Sequence, residues 1–231
     1  MKTKIAISML CALSVAYGAA DKAELQKTLQ ANSVQGNIIS SSDLGSGLSM
    51  VVIDVNNQQV PFLATNDGKF IFQPDALLMQ DKAVQAKIQG FYKDVYEKEK
   101  AKINIKLQEV FKKQSANVFH FKSKKNGAKT IYIVSDANCP YCQKEFANLN
   151  KRLEDANVEL LVVGFLGEDS MLKAANALKN KSGNQAKDIA MLAKLYEPKS
   201  KATSVDTKLA KELTQAVADT GVRSVPYIIE D

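Results

Sequence analysis

The chain has 231 residues, of which 45% are apolar and 24% charged, with a net charge of +6. That balance belongs to a folded protein and excludes a disordered chain. The basic excess is spread over lysine-rich stretches without interleaved aromatics, so it reads as a solvated surface and excludes a nucleic-acid-binding one.

In chain order, residues 1–20 differ from all that follow. Lys2 and Lys4 make a basic start, residues 5–16 form an apolar run, and Gly18, Ala19 and Ala20 follow as small residues. Basic, apolar and small regions in that order predict a secretory signal over 1–20, cleaved after Gly18 or Ala20. The apolar run is short for a membrane span, and no later segment is longer and as apolar. Leu10, rather than a small residue, precedes Cys11, which argues against a lipoprotein signal. Removal of this segment takes Cys11 and two lysines with it, and leaves Cys139 and Cys142 as the cysteines of an exported chain.

Residues 23–29 predict a short helix. Segments 48–55, 59–64 and 69–72 predict short strands separated by the turns Asn56-Asn57 and Asn66-Asp67-Gly68. Residues 21–78 thus form a small α+β unit, and a unit of this size without disulfides buries little core and often needs a partner surface. Residues 79–115 hold one long amphipathic helix over 80–114, with Val84, Ile88, Phe91, Val95, Ile103, Leu107 and Val110 at mostly three- or four-residue steps. It would be on the order of 50 Å long, bent at Gly90 or frayed through 97–102. Its apolar stripe fits a packing helix and its charged middle a solvated linker.

From residue 116 the pattern alternates. Strands are predicted at 118–121, 130–135, 158–165 and 225–229, and helices at 143–156, 171–178, 186–196 and 208–219. Strands interleaved with helices describe an α/β domain over 116–231.

Cys139-Pro140-Tyr141-Cys142 falls between a predicted strand and a predicted helix. With Pro140 at the first helical position, Cys139 is the N-cap and Cys142 lies one turn in. The unpaired N–H groups and the dipole of a helix start favour negative charge, hence the thiolate, which is the nucleophilic form. Cys139 then attacks a disulfide and Cys142, less exposed, resolves the product. Two other readings compete. A structural zinc site needs four ligands, and His120, expected half-buried on a strand, is the other soft candidate. A structural disulfide closing so short a loop would add little stability. Asp136 is a candidate cap for the helix, and Lys144 a candidate charge beside Cys139.

A second feature is Ser224-Val225-Pro226 ahead of the strand Tyr227-Ile228-Ile229. Here the chain resembles the thioredoxin superfamily, in which a CxxC helix faces a cis-proline loop. That resemblance implies that Pro226 is cis and that Val225, Pro226 and Tyr141 contact substrate, the Val225 backbone being free to pair with an extended chain. The long helical interval between Cys139 and Pro226, the leader, the small β-unit and its helix together resemble the periplasmic DsbC/DsbG group of thiol:disulfide isomerases and reductases. The likeness is carried locally by Asn66-Asp67-Gly68-Lys69-Phe70 and by residues 135–142, Ser-Asp-Ala-Asn-Cys-Pro-Tyr-Cys.

The resemblance implies a thioredoxin-like fold with a helical insertion at 116–231, preceded by a dimerisation domain at 21–78 and a linker helix at 79–115. It also implies a periplasmic homodimer that acts on unfolded or misoxidised exported proteins through the Cys139–Cys142 pair. It implies further that no other cofactor, metal or nucleic acid is involved, and that a membrane thiol reductase of the DsbD type keeps the pair reduced. Two departures stand out. Val225 stands where isomerases of this group usually have threonine and is more typical of DsbA-type oxidases. The chain stops at Asp231, where the family expects one more strand and a closing helix, so the domain is expected to be truncated at its C-terminal end. Isomerase or reductase is the first reading, dithiol oxidase the second, and a chaperone-like binding module with secondary redox activity the third.

Overall fold

The computed structural model describes residues 18–230. Of the expected leader, 1–17, Cys11 included, lies outside the described residues. The chain divides into two units that meet between Glu99 and Lys100.

The first unit opens with α1 (Lys22–Ala31), whose N-cap Asp21 accepts from the Ala23 and Glu24 N–H groups. Four antiparallel strands follow in sequence order: β1 (Asn37–Gly45), β2 (Leu48–Val55), β3 (Gln58–Thr65) and β4 (Ile71–Phe72). Alternation along β2 and β3 sends Val51, Ile53 and Ala64 toward Leu25 and Leu29 of α1. Leu63 and Met50 point to the other face, where Leu44 and Ile88 pack. The sequence pattern misses β1. Its register shifts between Ile38 and Ser40 and again between Asp43 and Gly45, and each bulge resets which residues face inward, so a period-two search finds nothing. The β3–β4 turn is built by its Asn-Asp-Gly sequence. The Asp67 carboxylate accepts from the Lys69 N–H and the Thr65 hydroxyl, and Gly68 has φ +72° with Glu24 Cβ 2.9 Å from where its own Cβ would stand. Only glycine meets both conditions without strain.

Helix α2 (Lys82–Lys113) is unbroken through Gly90 and through 97–102, where a bend or fraying was expected. The charged stretch consists of good helix formers, and Asp81 caps the start by accepting from the Ala83 and Val84 N–H groups. Val84, Ile88 and Tyr92 pack in the first unit, and Ile103, Leu107, Val110 and Phe111 in the second.

The second unit holds a mixed sheet of β5 (Phe119–Phe121), β6 (Lys129–Ser135), β7 (Ala156–Val162) and β8 (Tyr227–Glu230), in the order β5-β7-β6-β8. β6 and β7 are parallel and the outer pairings antiparallel. Between β6 and β7 run α3 (Pro140–Ala147) and α4 (Leu149–Arg152), divided at Asn148 where one helix was expected. The insertion contains α5 (Glu168–Asn180) and α6 (Gln185–Tyr196), and α7 (Lys208–Ala218) precedes β8. The continuous apolar run of β7 has a plain cause. Val158, Leu160 and Val162 enter one core with Leu149, Ala174 and Leu192, while Leu161 and Val163 enter another with Leu107, Leu213 and Val217. The end of β7, buried on both faces, has no polar side to show, while Asn157 and Glu159 keep its start partly exposed on one face. This is a thioredoxin-like α/β fold with a helical insertion, preceded by a small α+β unit.

Candidate active site

β6 ends at Ser135, buried in the middle of the sheet, and α3 begins five residues later. Cys139 is the N-cap, with extended backbone angles (φ −78°, ψ 120°) and Pro140 at the first helical position. Its carbonyl accepts from the Gln143 N–H at 2.9 Å, the first bond of the helix. The two sulfurs, both free thiols in this structure, differ in setting. Cys142 has no exposed surface, whereas Cys139 keeps 6% at the start of the helix. The Cys142 sulfur accepts from the Asp136 N–H at 3.4 Å. Burial pushes the Cys142 thiol up to about 12, although the Asp136 N–H and the Ser135 hydroxyl pull the other way.

The Cys139 thiol donates to the Val225 carbonyl at 3.3 Å, and the Val225–Pro226 bond is cis. The structure therefore brings Cys139, Cys142, Val225 and Pro226 together across the separation in sequence. The Val225 carbonyl, expected to be free, is taken by the Cys139 thiol while that sulfur carries its proton. Tyr141 projects outward, 70% exposed, with the Lys144 Nζ 5.7 Å from its ring centre. Lys144 is thus placed on the exposed aromatic ring.

Asp136 does not cap the active-site helix, since Cys139 holds the N-cap. It is fully buried, and its two oxygens accept from the Asn138 N–H at 2.9 Å and the Leu166 N–H at 3.0 Å. It ties the turn before Cys139 to the loop that follows β7. That loop is drawn close to α5 by Gly164, where an added Cβ would lie 2.5 Å from the Met171 Cα. His120 is more exposed than its strand position predicts. Its Nδ1 lies 2.6 Å from Glu159 Oε2, and its Nε2 2.9 Å from the Ser115 carbonyl oxygen.

Several residues at the site carry no signal in the sequence. The hydroxyl of Tyr196, wholly buried on α6, donates to Ser135 Oγ at 2.8 Å. Burial raises the Tyr196 phenol above its usual range, against the opposing Ser135 bond. Its ring stacks on Phe146 of α3, with centroids 4.6 Å apart. A groove of about 590 Å3 runs beside α3, lined by Pro140, Phe146, Ile189, Ala193, Tyr196 and Pro198 among others. Asn138, Asp169 and Lys173 form a polar cluster at the start of α5. Tyr196 lies 61 residues from Ser135 and Asn138 lies 31 and 35 from Asp169 and Lys173, beyond the reach of any local pattern.

The family described as Disulfide isomerase DsbG N-terminal matches residues 25–107. Among curated proteins, the thiol:disulfide interchange protein DsbG of Pseudomonas aeruginosa is 25% identical over 151 residues, covering 64% of this chain. The match spans 56% of that relative's length. Among solved structures, DsbG of Helicobacter pylori superposes with a TM-score of 0.51 at 21% identity, over 89% of this chain and 98% of that one. That last likeness establishes the fold, and the family match falls on the first unit and its helix. With a CxxC pair at the head of α3 in the second unit, the chain is similar to the DsbC/DsbG-type thioredoxin-like proteins.

Proposed function

We propose that the protein is a thiol:disulfide oxidoreductase that isomerises or reduces disulfides in exported proteins, with Cys139 as nucleophile and Cys142 as resolving thiol. The observation that carries this reading is the difference between the two sulfurs: one at a helix N-cap with 6% of its residue exposed, the other one turn in with none. The Cys139 thiolate attacks a substrate disulfide, forms a mixed disulfide and releases one substrate thiolate. Loss of the Cys139 proton also frees the Val225 carbonyl for the backbone of the bound chain. Tyr141 offers an exposed ring beside it.

The second step has two exits. Cys142 can displace the substrate and close the Cys139–Cys142 disulfide, or another substrate thiol can attack and leave with a rearranged disulfide. Burial holds the Cys142 thiol well above its ordinary value, so little of it is thiolate at neutral pH. Slow resolution lengthens the life of the mixed disulfide and favours the second exit, which is isomerisation. Used this way the pair must stay reduced, and a membrane thiol reductase of the DsbD type is the partner proposed for that task.

The proposed setting is the periplasm, after removal of the leader. Ala20 is built into the first unit, its N–H donating to Ser49 Oγ at 2.9 Å, which favours processing after Gly18. No helix among the described residues is long and apolar enough to cross a membrane. A homodimer through the first unit is supported by its open edge strand β1 and by exposed Val34, Ile39 and Phe70. One feature favours a second reading, a dithiol oxidase: Val225 before Pro226.

The test is refolding of a scrambled multi-disulfide substrate. Cys139→Ala is expected to lose at least ~10^3-fold in rate, and Cys142→Ala to trap mixed disulfides with exported proteins. Full activity in Cys139→Ala would end the reading. A pair found mainly oxidised in the periplasm would decide for the oxidase.

A further inference from the structure

Lys173, on α5, has 1% of its side chain exposed, and lysine is almost never buried to that degree unless its charge is paired. Its Nζ donates to Asn138 Oδ1 at 2.6 Å and lies 3.6 Å from Asp169 Oδ2, one helical turn earlier. The Asn138 amide nitrogen donates to the same Asp169 oxygen at 2.8 Å and to Ser170 Oγ at 3.0 Å. Both ends of the Asn138 side chain are thus held by α5, and Asn138 is the residue before Cys139. Its backbone N–H is held by Asp136 Oδ1, and the Cys139 N–H by the Asp136 carbonyl. The turn that presents the nucleophile is clamped from the strand side by Asp136 and from the helix side by Lys173.

The charge itself has a consequence. Taking an ammonium out of water is costly, and an apolar side chain of similar length would fill the space without that cost. The two charges of the pair are also screened unequally. Asp169 is 51% exposed and faces water, which weakens its field, while the ammonium lies where screening is poor. The Cys139 turn thus has a buried ammonium on its α5 side and the buried Asp136 carboxylate on its strand side, so removing the ammonium leaves that carboxylate unopposed.

We propose that Lys173 is a positioning residue of the redox site: acting through Asn138, its buried ammonium holds the Cys139 turn and biases the pair toward the reduced, thiolate-bearing form. This rests on the proposed thiol–disulfide exchange at Cys139. In exchange with glutathione disulfide, the Cys139 thiolate displaces one glutathione thiolate. Cys142 then gives its proton to solvent and its sulfur displaces the second. The pair is oxidised and glutathione disulfide is reduced to two thiols. Weakening the reduced form shifts that equilibrium toward the protein disulfide.

The experiment measures, on the full chain, the equilibrium with glutathione and the rate of Cys139 alkylation by iodoacetamide at pH 7. Lys173→Met is expected to move the equilibrium about tenfold toward the disulfide, equivalent to a potential about 30 mV lower. The alkylation rate is expected to fall several-fold. Asn138→Ala shifts both readouts the same way, and the double variant goes no further than the larger single effect, because both act on one turn. A folded Lys173→Met protein with wild-type equilibrium and alkylation rate overturns the proposal, as does full additivity in the double variant. If Lys173→Met does not fold, Asn138→Ala decides alone, and a wild-type equilibrium there overturns it. A wild-type pair that does not exchange with glutathione at all would sink the functional reading and this inference together.

Discussion

The two units of this chain are built from similar parts and put to different uses. The first is a meander of antiparallel strands with one short helix on one face and the start of α2 on the other. Its edge strand β1 pairs with one strand, β2, with Gln26 and Lys22 of α1 bonding the backbone at Ile38 and Ile39, and Phe70, at the β3–β4 turn, is 66% exposed. The second unit buries both faces of a mixed sheet under helices and holds its chemistry where a central parallel strand ends. A sheet sealed on both faces can hold a thiol at zero exposure beside one that keeps a little surface at a helix start. A sheet with open edges and apolar side chains in solvent is suited to association.

The comparison can be broken most severely in the second core. Leu107, on α2, is fully buried in the core that holds Val134, Leu161, Leu213 and Val217, and Leu107→Ala is expected to cost about 2–5 kcal/mol. Denaturant unfolding followed by alkylation of Cys142 reads this out, because that sulfur has no surface exposed to an external alkylating agent in the folded unit. A loss under about 1 kcal/mol would mean that the α2 end is not part of a sealed core.

The next effect concerns the first unit. Val34 and Phe70 line an apolar groove of about 400 Å3 and are exposed. The double variant Val34→Asp, Phe70→Asp is expected to weaken self-association at least ~100-fold, about 2.7 kcal/mol, while the glutathione equilibrium stays at the wild-type value. Equilibrium sedimentation checks the first half. An unchanged mass would remove this face from the proposed dimer.

The smallest effect is a pH dependence. The Cys142 thiol goes from an ordinary value of 9.0 to about 12 on folding. The folded state therefore favours the protonated form, and the stability this contributes is complete below pH 9. It is lost as the pH rises from about 9 through about 12, because the unfolded chain ionises first. Wild type is expected to lose stability more steeply than Cys142→Ala between pH 8.5 and about 10.5. Parallel curves would show that burial leaves Cys142 as it is in the unfolded chain.

What could be read in the sequence follows from how local each signal is. The Cys139-Pro140-Tyr141-Cys142 site was legible because helix start, proline position and cysteine spacing all lie within four residues. β2, β3, β6 and β7 were legible because their apolar patterns complete within one strand. β1 was lost to its two bulges. α5 starts three residues earlier than the apolar pattern does, at Glu168 and Asp169, because the first turn of a helix takes acidic residues that carry no hydrophobic signal. Asp136 was seen but misassigned: an aspartate near a helix start reads as a cap, and only the structure shows its second oxygen on the Leu166 N–H.

By itself the sequence determined that a dithiol sits at a strand-to-helix junction, for every term in that argument is a neighbour along the chain. Tertiary structure decided that the Cys142 sulfur accepts from the Asp136 N–H, that the Cys139 thiol rests on the Val225 carbonyl, and that a lysine is buried behind the Cys139 turn. Burial and through-space hydrogen bonds depend on which distant segments share a core. Lys173 and Asn138, 35 residues apart in sequence and 2.6 Å apart in space, show how far that can lie beyond any local pattern.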